Sequence, residues 1–173
     1  VVIYPRYKHL FISAPSFYPP HALSYDARDT SLVVLSPGKE AASPNNIEMG
    51  KNVIRTMKMR VDKETYNAIQ TLHMLVIYTA VPMDAVSNQL DGTLYYITWS
   101  DWRGDFLVMS PSGAESATAK RVLHVFNDIA YAVGDHDLKG LQELMPTVNE
   151  LIAHYRTLLH PDVIVDEKMN LDL

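Results

Sequence analysis

The chain has 173 residues, a formal net charge of −5 at pH 7 and no cysteine. A chain of this length fits one domain and buries roughly 70% of its unfolded surface, so its core needs neither a disulfide nor a metal. The acidic balance and the scattered Lys and Arg residues argue against nucleic acid or an anionic membrane as the main partner. Because cysteine is missing, disulfides, thiol catalysis and zinc-ribbon sites are excluded.

No apolar run approaches the roughly 20 residues of a membrane span, so we expect no transmembrane segment. A protein without disulfides can function in either an oxidising or a reducing compartment. We favour an exported or periplasmic protein over a cytoplasmic one. The sequence leaves homo-oligomerisation open.

The composition divides the chain into two parts. Residues 13–29 and 36–50 are rich in Pro, Ser and Asn, which is typical of irregular connections. We therefore expect a single domain, 1–173, in which residues 1–50 form an irregular, aromatic- and Pro-rich arm with one or two short strands. Residues 51–173 are expected to form the better-defined core of that domain.

Several stretches have the residue pattern of strands. The β-branched run TSLVVLS, residues 30–36, predicts one strand, and YKHLFIS, residues 7–13, is a weaker candidate. Residues 53–61 alternate apolar and polar side chains, which is the period of a half-buried strand. The runs TLYYITW, residues 93–99, and DFLVMS, residues 105–110, lie on either side of a short segment and predict a hairpin or meander.

Three segments have the apolar spacing of amphipathic helices. The first covers residues 63–80, with Asp62 as its N-cap. The second follows SPSGAES, with Ser112 as its expected N-cap, and GDHD, residues 134–137, separates it from the third. Pro146 lies inside the third, where it should kink the helix or mark the first turn of a new one.

The order of these elements predicts an α+β fold. We expect an antiparallel sheet of four to six strands, with one inserted helix and a C-terminal helical hairpin packed on one face. The hairpin is expected because two apolar stripes are joined by a short polar loop.

The segment SDWRGD, residues 100–105, joins the last two predicted strands. Its Arg103-Gly104-Asp105 tripeptide is known elsewhere as an adhesion motif, but ordinary turn chemistry accounts for the same residues. Exposed Trp and Arg side chains anchor many protein interfaces. We therefore expect Trp102, Arg103 and Asp105 to contact a protein partner.

The loop between the last two predicted helices is a second candidate contact surface. Asp135 and Asp137 lie there on either side of His136. In this position the two carboxylates are also expected to serve as a C-cap and an N-cap. An acidic surface fits a basic partner by charge complementarity.

An enzyme or small-ligand site is the alternative. Its candidate residues are His73, His124, His136 and His154, and an active site would need two or more of them to converge with carboxylates in a pocket. The sequence contains no glycine-rich phosphate loop, H-E-x-x-H motif, EF-hand loop or G-x-S-x-G motif. We therefore expect no cofactor and no metal, and we assign no catalytic residue.

The pattern LDGTLYYI, residues 90–97, precedes a second strand that ends in Ser110-Pro111 and then a helix. This arrangement resembles a stretch of small bacterial α+β proteins. Some of them are similar to immunity proteins, which neutralise toxic effectors of contact-dependent or type VI secretion systems. The resemblance covers residues 89–133. It implies a binder without catalysis that covers an effector's active site, and it assigns no inhibitory residues.

These observations favour a non-catalytic protein-binding domain, with a bacterial immunity protein as the most specific hypothesis. Two alternatives stay open. One is a small envelope enzyme or ligand-binding protein whose site lies between the sheet and the helices. The other is a structural subunit of a larger assembly.

Overall fold

The computed structural model describes residues 10–15, 20–37, 54–80, 93–101, 104–111 and 116–159. For residues 54, 99–101 and 104–111 it describes the backbone alone. The elements in chain order are β1 (Leu10–Pro15), β2 (His21–Asp26), β3 (Ser31–Pro37), β4 (Ile54–Arg60), α1 (Lys63–Tyr78), β5 (Thr93–Asp101), β6 (Gly104–Pro111), α2 (Ala117–Gly134) and α3 (Leu138–Leu158).

The described strands form one antiparallel sheet of six strands in the order β4-β3-β2-β1-β5-β6. Helix α1 is inserted between β4 and β5, and α2 and α3 follow the last strand. Helix α1 lies against β5, α2 lies across β2, β3 and β4, and α3 packs on both helices. The predicted α+β fold, with an inserted helix and a C-terminal helical hairpin on one face, is confirmed.

The first 50 residues contain three strands where the sequence predicted one or two. Strand β2 lies inside the stretch 13–29, which was predicted to be irregular. Its signal is weak because small Ala22 and Ser24 alternate with Leu23 and Tyr25, and two prolines stand directly before it. All three strands are interior to the sheet, so residues 10–37 supply half of its strands.

The central strands are buried on both faces. Phe11 and Leu23 face the helices, while Leu10 and Val33 on the opposite face are buried as well. The sequences of β1 and β3 accordingly contain short, nearly continuous apolar runs. The edge strand β4 instead alternates polar and apolar residues, and its buried Met59 belongs to the helix-facing core.

Aromatic rings form the centre of the core between the sheet and the helices. The ring of Phe11 on β1 stacks on Phe126 of α2, with 5.1 Å between ring centroids, and on Tyr95 of β5 at 5.9 Å. Phe11 and Phe126 are completely buried. This stack joins the middle of the sheet to α2.

The helix ends follow local side-chain chemistry. The predicted N-cap Asp62 accepts hydrogen bonds from the backbone N–H and the hydroxyl of Thr65, so that prediction is confirmed. Helix α2 is capped by Ser116. Ser112 was therefore the wrong choice. Helix α3 continues through Pro146, which is exposed, so water can satisfy the carbonyl that proline leaves without a partner.

Replacing Phe126 with Ala should lower the free energy of unfolding by about 3–5 kcal/mol, because the change leaves a cavity beside Phe11. Urea denaturation followed by circular dichroism measures this. Leu158→Ala is the matched control, since this side chain is 54% exposed and its loss should change stability by less than about 0.5 kcal/mol. Equal losses in the two variants would contradict the packing described above.

Candidate functional site

The predicted hairpin is present, since β5 and β6 are paired antiparallel neighbours. Asp101 pairs with Gly104, so the strands extend beyond their predicted ends and two residues connect them. Those residues, Trp102 and Arg103, lie outside the described residues. Asp105 lies on β6 opposite Ser100, with its backbone alone described. The role of this tip in partner binding stays a prediction.

The α2–α3 connection is described in full. Asp135 is the C-cap of α2, and His136 follows with φ 55°, in the left-handed region. Asp137 is the N-cap of α3 and accepts a hydrogen bond of 2.9 Å from the backbone N–H of Gly140. A Cβ at Gly140 would collide with that carboxylate, so the cap requires glycine there. The predicted capping roles of the two aspartates are confirmed.

Two large apolar side chains are exposed beside these caps. Tyr131, one turn before the end of α2, is 61% exposed, and Leu138, the first residue of α3, is 46% exposed. The carboxylates of Asp128, Asp135 and Asp137 are exposed around them. We call these five residues the α2–α3 corner. Sequence reasoning identified its two capping aspartates and missed Tyr131, whose exposure depends on how α2 packs.

Tyr131 is held in place by a neighbour on the sheet. Its ring lies against His21 of β2, with 5.4 Å between centroids. Nε2 of His21 donates a hydrogen bond of 3.0 Å to Oδ1 of Asn127, one turn earlier on α2. Burial lowers the pKa of His21, and the bond to Asn127 opposes this less strongly. His21 is therefore a neutral imidazole at pH 7 whose Nδ1 carries a lone pair.

A second polar group lies deep in the core. Nε2 of His73 donates to the backbone carbonyl of Thr98 at 2.8 Å, which leaves Nδ1 as the acceptor for the hydroxyl of Tyr25 at 3.0 Å. Burial, together with the nearby Tyr66, raises the pKa of Tyr25 well above its usual value. Both ring nitrogens of His73 thus stabilise the fold, joining α1 to β2 and β5.

The four candidate histidines are not brought together around His73. His73 is completely buried, whereas His124, His136 and His154 are exposed on α2, the α2–α3 connection and α3. Within the ranges that the structure describes, no three His, Asp or Glu side chains lie close enough to hold a metal ion.

A charged cluster on the β2–β3 turn and β4 was not predicted. Asp26 pairs with Arg28 at 2.8 Å and with Lys58 at 2.9 Å, and Lys58 also pairs with Asp29 at 2.8 Å. Hydrogen bonds from Arg28 and Lys58 hold the pKa of Asp26 well below its usual range. Burial raises the pKa of Tyr66 on α1 to about 12, and the charges of Asp26 and Asp29 add to this.

The same turn contains a conformation that is rare for a β-branched residue. Thr30 has φ 54°, in the left-handed region. Its hydroxyl donates to the carbonyl of Val61 at 2.9 Å, and its own carbonyl accepts from the N–H of Val61 at 3.1 Å. These two bonds fix the strained turn against the residue that follows β4.

Comparisons with known proteins give no relative. No protein-family model matches the sequence, and neither a curated protein nor a solved structure matches the chain. Among the helices in the described part of the chain, none combines the length and apolar character needed to cross a membrane.

Replacing Tyr25 with Phe should lower the free energy of unfolding by about 1–3 kcal/mol, because Nδ1 of His73 would remain buried without its donor. Tyr66→Phe is the matched control. The hydroxyl of Tyr66 is buried and has no hydrogen-bond partner among the described residues, so its removal should be neutral or stabilising. Chemical denaturation measures the stability of both variants. An equal loss of stability would contradict the hydrogen bond between Tyr25 and His73.

Asp26→Asn should destabilise the protein by about 1 kcal/mol at pH 7, since its partners are partly solvated. The folded-state pKa of Asp26 is lowered, so the stabilisation is complete above the unfolded pKa of about 4 and is lost as the pH falls below it. The stability difference between wild type and variant should therefore shrink between pH 5 and pH 2, measured by urea denaturation. A difference that stays constant with pH would show that the ion pairs contribute nothing.

Proposed function

We propose that this protein is a binding domain that docks a cationic protein partner on the α2–α3 corner. The observation that carries the proposal is Tyr131, a large aromatic side chain that is 61% exposed and yet packs its ring against His21. Tyr is enriched among the residues that dominate binding energy at protein interfaces. A ring that is already ordered loses little conformational entropy on binding.

The charges around Tyr131 support a cationic partner. Asp128 of α2 lies one turn before it, and Asp135, the C-cap of α2, lies one turn after it. Negative charge at a helix C-terminus is unfavourable, because the backbone carbonyls there already carry a partial negative charge. The last turn of α2 nevertheless contains no basic residue. The corner therefore keeps a negative potential at some cost in stability, and a basic surface would relieve that cost.

The sequence resemblance gives this proposal its most specific form, an immunity protein that covers a toxic effector. In that form the partner is a basic effector, met by charge complementarity. The Trp102–Arg103 tip remains a further candidate contact. Co-expression with the partner tests the specific form, since an immunity protein should suppress the partner's toxicity to the producing cell. If the toxicity is not suppressed, the immunity hypothesis is wrong and only the proposed binding function remains.

Tyr131→Ala should weaken binding of the purified partner about 10- to 30-fold in isothermal titration calorimetry. The partner is first identified by capture on the wild-type protein and then produced alone. Leu158→Ala is the control, because its exposed side chain lies at the other end of α3, about 30 Å from Leu138. A partner that binds wild type and Tyr131→Ala equally would exclude the corner as its binding surface.

Asp135→Asn should separate stability from binding. Removing this charge from the C-terminus of α2 should raise the free energy of unfolding by about 0.3–1 kcal/mol and slow association with the partner at low salt. Glu64→Gln is the matched control, since Glu64 lies in the first turn of α1. That change should lower stability by a similar amount and leave association unchanged. Slower association in both variants would indicate that only the net charge of the protein, and not the α2–α3 corner, affects the association rate.

A further inference from the structure

The helix-facing side of the sheet changes character from one row of residues to the next. The row through the centre is apolar in every described side chain: Phe11 pairs with Leu23 and Ile97, and Leu23 continues to Val34 and Met57. Side chains two positions along each strand lie on the same face. They form the next row, which is polar throughout: Tyr95, Ser13, His21, Ser36 and Arg55.

The register brings these polar residues into one line. Ser13 is the pairing partner of both His21 and Tyr95, and Ser36 is the partner of Arg55. The β2–β3 register, continued by one residue, places His21 beside Ser36. Five strands at about 4.8 Å spacing make the row about 19 Å long.

Helix α2 forms a wall along this row. Asn127 and Tyr131 contact His21 from the helix side. His124, three residues before Asn127, and Lys120, four residues before His124, lie on the same stripe of α2, and both are exposed. We call the sheet row and these four helix residues the polar ledge.

The ledge combines cations with uncharged hydrogen-bonding groups. Arg55 and Lys120 are exposed, and no carboxylate of the described residues forms an ion pair with either. Between them lie the half-buried side chains of Ser36 and Tyr95, whereas Ser13 is only 4% exposed. The nearest carboxylate along α2 is Asp128, which is exposed one turn from both His124 and Tyr131.

We infer that the polar ledge binds a small organic anion that also carries hydroxyl groups, such as a sugar phosphate or a hydroxycarboxylate. Arg55 donates to the anionic oxygens from the β4 end of the ledge, and Lys120 adds a positive charge from the N-terminal half of α2. Because Nε2 of His21 donates to Asn127, Nδ1 is the acceptor nitrogen of the ring and accepts from a ligand hydroxyl. The ring of Tyr131 covers one side of the ligand. This site lies between the sheet and a helix and shares only Tyr131 with the α2–α3 corner.

Four probes test the inference in nuclear magnetic resonance titrations of the whole chain: glucose 6-phosphate, gluconate, inorganic phosphate and glucose. We expect saturable shifts of the His21 and Asn127 side-chain signals with glucose 6-phosphate, gluconate or both, which also separates a phosphate ligand from a carboxylate. Inorganic phosphate, without hydroxyls, and glucose, without charge, should each bind at least 5-fold more weakly than the tighter of these two.

The variant Arg55→Gln combined with Lys120→Gln should weaken that binding at least 10-fold. Both side chains are exposed, so the fold should survive, which the unfolding midpoint checks. Lys139→Gln is the control, since its side chain is 87% exposed on α3 and it should bind as wild type does. Shifts that never saturate, equal binding of glucose, or equal weakening in the control would overturn the inference.

Discussion

Strand β1 is the element on which the rest of the structure depends, because it joins two groups of strands into one sheet. On one side it continues the meander of β2, β3 and β4, and on the other it pairs with β5 and so with the β5–β6 hairpin. This double pairing makes one sheet from two groups of strands that α1 separates along the chain. It also places Phe11 beneath Phe126 and Ser13 between His21 and Tyr95. The positions of the aromatic core and of the polar ledge therefore both depend on the pairing of β1.

Helix α2 carries different charges in its two halves. Its N-terminal half carries Lys120 and Arg121, with Arg121 held by Glu150 of α3 in a bidentate pair at 2.7 and 3.0 Å. Its C-terminal half carries Asp128 and leads into Asp135. Tyr131 lies in the C-terminal half, between Asp128 and Asp135, and contributes to both proposed sites. Binding of a small anion should therefore change the affinity for a cationic protein, since both contact this one ring.

Much of the fold could be predicted because it is encoded locally. The period-2 alternation of β4 and the Asp62 cap of α1 each need only a few neighbouring residues. Strand β2 lacked such a signal, since its small residues and preceding prolines imitate a loop. Its identity depends on burial between β1 and β3, which is a tertiary effect.

The polar contacts could not be predicted for a related reason. Tyr25 and His73 are 48 residues apart, Asp26 and Lys58 are 32 apart, and His21 and Asn127 are 106 apart. Each pair depends on strand register or on the position of a helix over the sheet. The α2–α3 corner was partly predictable, because its two aspartates are also helix caps and caps have a sequence signature.

The cap of α3 has a consequence for how this surface can diverge among homologues. Asp137 is tied to Gly140, because any larger residue there would displace the capping carboxylate. Asp135 carries no such side-chain obligation in the described structure. In a family whose members bind different partners, the side-chain charge at residue 135 should vary with the charge of the partner. Residues 137 and 140 should instead change together. The corner would then adapt to a new partner through substitutions of Asp135, whereas Asp137 would be retained because it caps α3.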